Sequence, residues 1–113
     1  MNEALASIFD ESAKAPGALG CGVRLPDRTS RVRSFSRECP DESIEKVLLH
    51  LAGTVAFLSS QDLVGHHLRW TFAGGKLHVA IRNDGALFCI LARKDAGQTE
   101  FFEHLLGKFL ATT

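Results

Sequence analysis

The chain has 113 residues, 45% of them hydrophobic and 23% charged, with 13 basic and 13 acidic side chains. That size suits one core burying roughly two-thirds of the unfolded chain's surface, and the formal net charge of zero provides neither bulk attraction to nucleic acid or an anionic membrane nor self-repulsion against association. Three cysteines, Cys21, Cys39 and Cys89, with no CxxC spacing, argue against a disulfide framework and for a reducing, cytoplasmic setting.

The opening MNEALASIFDES lacks the basic-then-apolar pattern of a signal peptide. Asn2 is placed to cap a short helix running to about Lys14, with Leu5, Ile8 and Phe9 on one face. Pro16-Gly17 ends it. Leu19, Cys21, Val23 and Leu25 alternate with Gly20, Gly22 and Arg24 as in a strand. Pro26-Asp27 begins a turn, and a weaker strand follows over 31–36. Pro40-Asp41-Glu42 starts a long helix to about Ser59, with acids at the positive end of its dipole. Its apolar region, 47–58, is broken by His50, Gly53 and Thr54 and is too short for membrane insertion. Residues 66–72, 76–81 and 86–92 read as three strands, joined by Gly74-Gly75 and Asp84-Gly85 as two-residue type I′ hairpins. Asp95-x-x-Gln98 resembles a capping box before a last helix carrying Phe101, Phe102, Leu105, Leu106, Phe109 and Leu110.

With two-residue turns, Trp70 lies beside Val79 and Ile90, Leu68 beside Ile81 and Phe88, and Phe72 beside Leu77 and Ala92. One face of this meander is then wholly apolar and suits the first and last helices as its cover. The other face grades from Leu87, Cys89 and Leu91 to His67, Arg69 and Thr71. Strand 86–92 is therefore expected to be central, and 66–72 an edge with little protection against pairing. On the long helix, Ile44, Val47, Leu48, Leu51, Val55 and Leu58 form a core stripe. Leu49, Gly53, Ala56 and Phe57 fall on the opposite side. Either they are apolar residues exposed singly, which is common, or they meet a second copy of the chain together with His67, Arg69 and Thr71 at the open edge.

The search for chemistry excludes more than it finds. GGKL (74–77) lacks the upstream glycine spacing and the hydroxyl residue of a P-loop, and Gly20-x-Gly22 lacks the third glycine of a dinucleotide site. The expected register sets His78 opposite Thr71, about 13 Å along the sheet from His67, too far for a shared zinc ion. Cys21 and Cys89 read as inert core thiols, and Cys39 as the exposed one, with no base identified beside it. No catalytic, cofactor or metal residue is assigned. Arg24, Arg28, Arg31, Arg33 and Arg37 crowd the first hairpin; they serve either as a solvated edge or as a patch for an acidic protein partner, nucleic acid being disfavoured by the absence of interleaved aromatics.

The element order α-β-β-α-β-β-β-α, PGALGCGVRL near the start, and LRWTFAGGKLHVAIRNDGALFCILARKDAGQTEFFEHLLGKFL together resemble the roadblock/dynein light-chain family. PDRTSRVRSF differs from the family in lacking a glycine in the first hairpin. The resemblance implies that residues 1–113 form a single roadblock-like domain of the α+β, profilin-like kind. In it a five-stranded, mostly antiparallel sheet of order 2-1-5-4-3 has the first and last helices on one face and the long helix on the other. It also implies a homodimer in which third strands pair and long helices meet, and a non-enzymatic scaffold or regulator of Ras-like small GTPases that holds no nucleotide. Two other readings stay open: a dimeric secretion chaperone for an unfolded segment, against which the neutral charge counts, and a small-ligand sensor module.

Overall fold

The structure, a computed structural model, describes residues 3–63, 65–97 and 99–112. Its elements are α1 (Glu3–Ala13), β1 (Ala18–Arg24), β2 (Ser30–Ser34), α2 (Asp41–Ser60), β3 (His67–Phe72), β4 (Gly75–Ile81), β5 (Leu87–Ala92) and α3 (Thr99–Leu110). The expected cap at Asn2 lies outside the described residues, as does Gln98 of the expected capping box. Asp95, its other member, sits in a turn four residues before α3 begins at Thr99 and does not cap it. The five strands form one antiparallel sheet of order β2-β1-β5-β4-β3, as the resemblance implied. One core joins Leu5, Ile8 and Phe9 of α1 and Phe102, Leu105, Leu106 and Phe109 of α3 to Cys21, Val23, Phe88 and Ile90 of the sheet. On the other face Ile44, Leu48 and Leu51 of α2 pack with Leu77, Val79, Leu87, Cys89 and Leu91.

The faces of β3 and β4 are the reverse of those expected, because the β4–β5 loop is one residue longer than a two-residue type I′ turn. The β3–β4 loop is only displaced by one position, which shifts that pairing by two and leaves the faces of the two strands matched. Phe72 pairs with Gly75, so the first loop is Ala73-Gly74, and neither residue has a positive φ. Gly75 is the first residue of β4 for a different reason: a Cβ there would collide with the carbonyl oxygen of Ala92. Between β4 and β5 the loop has one residue more. Arg82 N donates to Ala86 O at 2.9 Å and Gly85 N to Arg82 O at 2.9 Å, with Gly85 at φ 92°. This is a three-residue turn closed by a left-handed glycine. Asp84 Oδ1 accepts from Ala86 N at 3.0 Å and pairs with Arg82.

One residue of slip moves a strand's entire apolar set to the other side of the sheet. Leu68 now aligns with Val79 and Cys89, and Trp70 with Leu77 and Leu91, on the α2 side. His67, Arg69 and Thr71 share the α1/α3 side with His78 and Ile90. The β5 faces are as expected.

Helix α2 starts at Pro40, which offers no side-chain cap. It ends where Asp62 takes φ 58° and Leu63 N donates to Leu58 O. Two glycines of β1 let it sit close to the sheet. A Cβ at Gly20 would lie 2.6 Å from Ile44 Cδ1, and one at Gly22 would lie 2.9 Å from both Ile44 Cγ2 and Leu48 Cδ1. Gly107, inside α3, faces open space. Gly22→Ala is therefore expected to lower unfolding stability by about 1–3 kcal/mol through overpacking. Gly107→Ala should raise it by up to about 1 kcal/mol through helix propensity. Urea denaturation of the two variants checks the contrast, and equal effects would contradict it.

Candidate interaction surface

The outward side of α2 is apolar where a solvent-facing helix has no need to be. Leu49 and Phe57 are each 60% exposed. Gly53 and Ala56 between them are exposed, and nothing lies within 4 Å of a Cβ built on Gly53. Helix α2 packs on β1, β2 and β5, so the apolar face of β3 extends past its cover. Trp70 is left 43% exposed and Phe72 46%. Between helix and strand runs an open groove of about 310 Å³, lined by Lys46, Val47, His50, Leu51, Thr54, Trp70 and Leu77. Two-residue turns would place Trp70 and Phe72 under α1 and α3. The three-residue loop at 83–85 turns them to the α2 side, and the position of α2 over β1 and β2 leaves them uncovered.

The free edge of β3 adjoins this surface. Ile81 N donates to His66 O at 2.8 Å, which identifies the pairs 66/81, 68/79, 70/77 and 72/75 as the hydrogen-bonded ones in the β3–β4 ladder. The backbone N–H and C=O groups of His67, Arg69 and Thr71 therefore point away from the sheet. Their side chains lie on the α1/α3 side, where Arg69 Nη1 meets Glu103 Oε1 at 3.4 Å.

Beneath them is His78, opposite Arg69 and not Thr71 as expected. His67 and His78 border one depression with Arg69, Glu103 and Leu106. No set of three or more His, Cys, Asp or Glu side chains is grouped for a metal ion among the described residues. The His78 ring is 1% exposed, and its centroid is 4.9 Å from that of Phe102. Nε2 has no hydrogen-bond partner. Burial holds the imidazole below its usual titration range, and the nearby Arg69 and Lys76 charges add to this.

Cys39 is buried, contrary to expectation. Its N–H donates to Ser36 O at 3.1 Å, and its thiol joins the α2-side core as the chain turns into the helix. Burial raises all three thiols: Cys39 above its ordinary value, Cys21 to about 12, and Cys89 furthest. None is poised as a thiolate nucleophile.

The first hairpin gathers the arginines as expected but does not treat them alike. Arg33 is tied to Asp10 at 2.8 Å and lies over the Phe9 ring at 5.4 Å. Arg28 adopts φ 73° at the turn, with its N–H bonded to Leu25 O. It occupies the left-handed position that Gly85 fills in the β4–β5 turn, which accounts for a hairpin without glycine. Arg24, Arg28, Arg31 and Arg37 form no salt bridge among the described residues.

No family model matches the chain, and no curated protein does. Solved structures do. The chain is similar to MglB of Myxococcus xanthus at 7% identity, with a TM-score of 0.69 over 92% of this chain and 89% of that one. It is similar to the gliding protein MglB of Thermus thermophilus at 14% identity, with a TM-score of 0.66 over 96% and 87%. A Roadblock/LC7 domain from Streptomyces avermitilis, also 14% identical, gives a TM-score of 0.61 over 94% and 97%. The fold is of the roadblock type.

The buried imidazole makes stability depend on pH. His78 is held neutral in the fold, whereas in the unfolded chain it protonates near 6.5. Its contribution is thus complete above that pH and is lost as pH falls below it. The thermal midpoint is expected to drop from about pH 7.5 to about pH 5.5, and His78→Phe should flatten that limb. An unchanged slope in the variant would contradict the assignment. Asp27 and Asp84, lowered chiefly by their hydrogen bonds to Thr29 and Arg82, act only in the more acidic carboxylate range.

Proposed function

We propose that the chain is a cytoplasmic, non-enzymatic homodimeric adaptor that regulates a Ras-like small GTPase. One observation carries the dimer: the outward backbone of His67, Arg69 and Thr71 adjoins the uncovered apolar shoulder of Trp70, Phe72, Leu49 and Phe57. An open edge beside exposed apolar surface is an aggregation hazard unless a partner takes it. A second copy supplies both halves of the match. Antiparallel pairing of two β3 strands continues the sheet, and the α2 helices come alongside through Gly53 and Ala56. Burial of Phe57 and Trp70 then contributes on both sides of the two-fold axis.

The GTPase reading is supported by the roadblock-type fold and by the role of the family that the sequence resembles. The dimer would present a platform of two α2 helices, with the solvent-exposed rim around them facing the partner. The buried thiols favour a reducing compartment. No helix among the described residues is long and apolar enough to cross a membrane.

Sedimentation equilibrium should find a dimer at micromolar concentration. Trp70→Glu or Phe57→Glu should weaken it more than about a hundredfold, because each substitution counts twice at about 1.5–3 kcal/mol. A lone wild-type protomer would refute the dimer. Affinity capture from the native lysate is expected to recover a Ras-like GTPase whose retention differs between GDP and a non-hydrolysable GTP analogue. Failure to retain one in either state would refute the partner.

A further inference from the structure

The second sheet edge is β2. Leu25 N donates to Thr29 O at 2.8 Å and Phe35 N to Leu19 O at 2.9 Å. The hydrogen-bonded pairs between β1 and β2 are therefore the odd-numbered ones, including Cys21 with Arg33 and Val23 with Arg31. The backbone groups of Ser30, Val32 and Ser34 point outward. Ser34 N is taken by Asp41 Oδ1 at 2.9 Å. Ser30 O meets only the neighbouring guanidinium of Arg31, at 3.2 Å. Ser30 N and both backbone groups of Val32 are free of protein partners among the described residues.

Basic side chains flank this open segment. Arg24, Arg28 and Arg31 form no salt bridge among the described residues, whereas Arg33 beside them does. The one acid within residues 24–34 is Asp27, and its carboxylate is engaged by Thr29 N at 2.9 Å and Thr29 Oγ1 at 2.6 Å. A non-glycine residue in the left-handed region, as at Arg28, costs about 1–2 kcal/mol. The hairpin thus concedes stability at a position that carries an unpaired cation.

We propose that the β2 edge receives an acidic extended segment of a partner protein. The segment adds as a strand along residues 30–32, short of Ser34, whose N–H Asp41 already holds. It sets its carboxylates against Arg31 on the α1/α3 side of the sheet and Arg28 at the turn. Backbone pairing gives affinity, and charge gives the choice of partner. The same arginines repel a second copy of this edge, so the occupant is not another β2. The proposal is independent of the dimer and the GTPase.

The probe is a short fluorescein-labelled peptide alternating Glu with Thr, followed by anisotropy against the full chain. It is expected to bind, and the same peptide with Lys for Glu is not. Arg28→Glu with Arg31→Glu should weaken binding by about tenfold or more, and Lys94→Glu, at an exposed site outside the hairpin, should leave it unchanged. With the unaltered protein, N-methylation of alternate peptide amides should abolish binding in one phase and spare it in the other. Equal effects of the two phases would overturn strand addition in favour of unspecific charge attraction. Equal binding of the Lys peptide, or an oligothymidylate that binds where the Glu peptide does not, would overturn the proposal as well.

Discussion

The three-residue turn at 83–85 decides what this molecule shows to its surroundings. Gly85 at φ 92°, the Arg82–Ala86 closure and the Asp84 carboxylate hold β4 and β5 in a register one residue from that of a two-residue loop. Side chains alternate along a strand, so that residue determines which face carries Leu68, Trp70 and Phe72. They face the side of α2, and α2 is seated toward the other end of the sheet, against Gly20 and Gly22 of β1. A helix drawn so tightly over β1 leaves the far shoulder bare.

The same register gives the opposite side of β3 a polar character. Arg69 reaches Glu103 on α3, and His78 is pressed beneath Phe102 with an unpaired Nε2. The two edges of the sheet consequently differ in chemistry. The β3 edge combines an outward backbone with an apolar shoulder on one side, suited to self-association. The β2 edge combines an outward backbone with unpaired arginines, unsuited to its own copy. The two proposed docking edges would therefore not compete for the same partner.

Much of this was legible in the sequence because it rests on periodicity. The apolar stripe of α2, its second apolar side at Leu49 and Phe57, the central position of β5 and the stripes of α1 and α3 all follow from spacing. The sheet order came from the family resemblance. What was not legible depended on local turn geometry. NDG fits a two-residue loop or a three-residue loop equally well, and only the left-handed placement of its glycine distinguishes them. GG likewise suggested conformational freedom at Gly75, whereas the glycine is there for lack of space beside Ala92. Cys39 reads as exposed because its neighbours Arg37, Glu38, Pro40 and Asp41 are polar or turn-forming, yet the turn into α2 folds the thiol inward. Arg28 hid its strained backbone for the reverse reason, since nothing in an arginine announces a positive φ.

The central claim is that β3 is paired across a two-fold axis, and amide hydrogen exchange reads it residue by residue. The amides of Leu68, Trp70 and Phe72 belong to the β3–β4 ladder and should be protected at any protein concentration. Those of His67, Arg69 and Thr71 point outward and should be protected only when the chain is concentrated, exchanging freely on dilution. Free exchange of these three at high concentration, with the ladder amides still protected, would contradict the account.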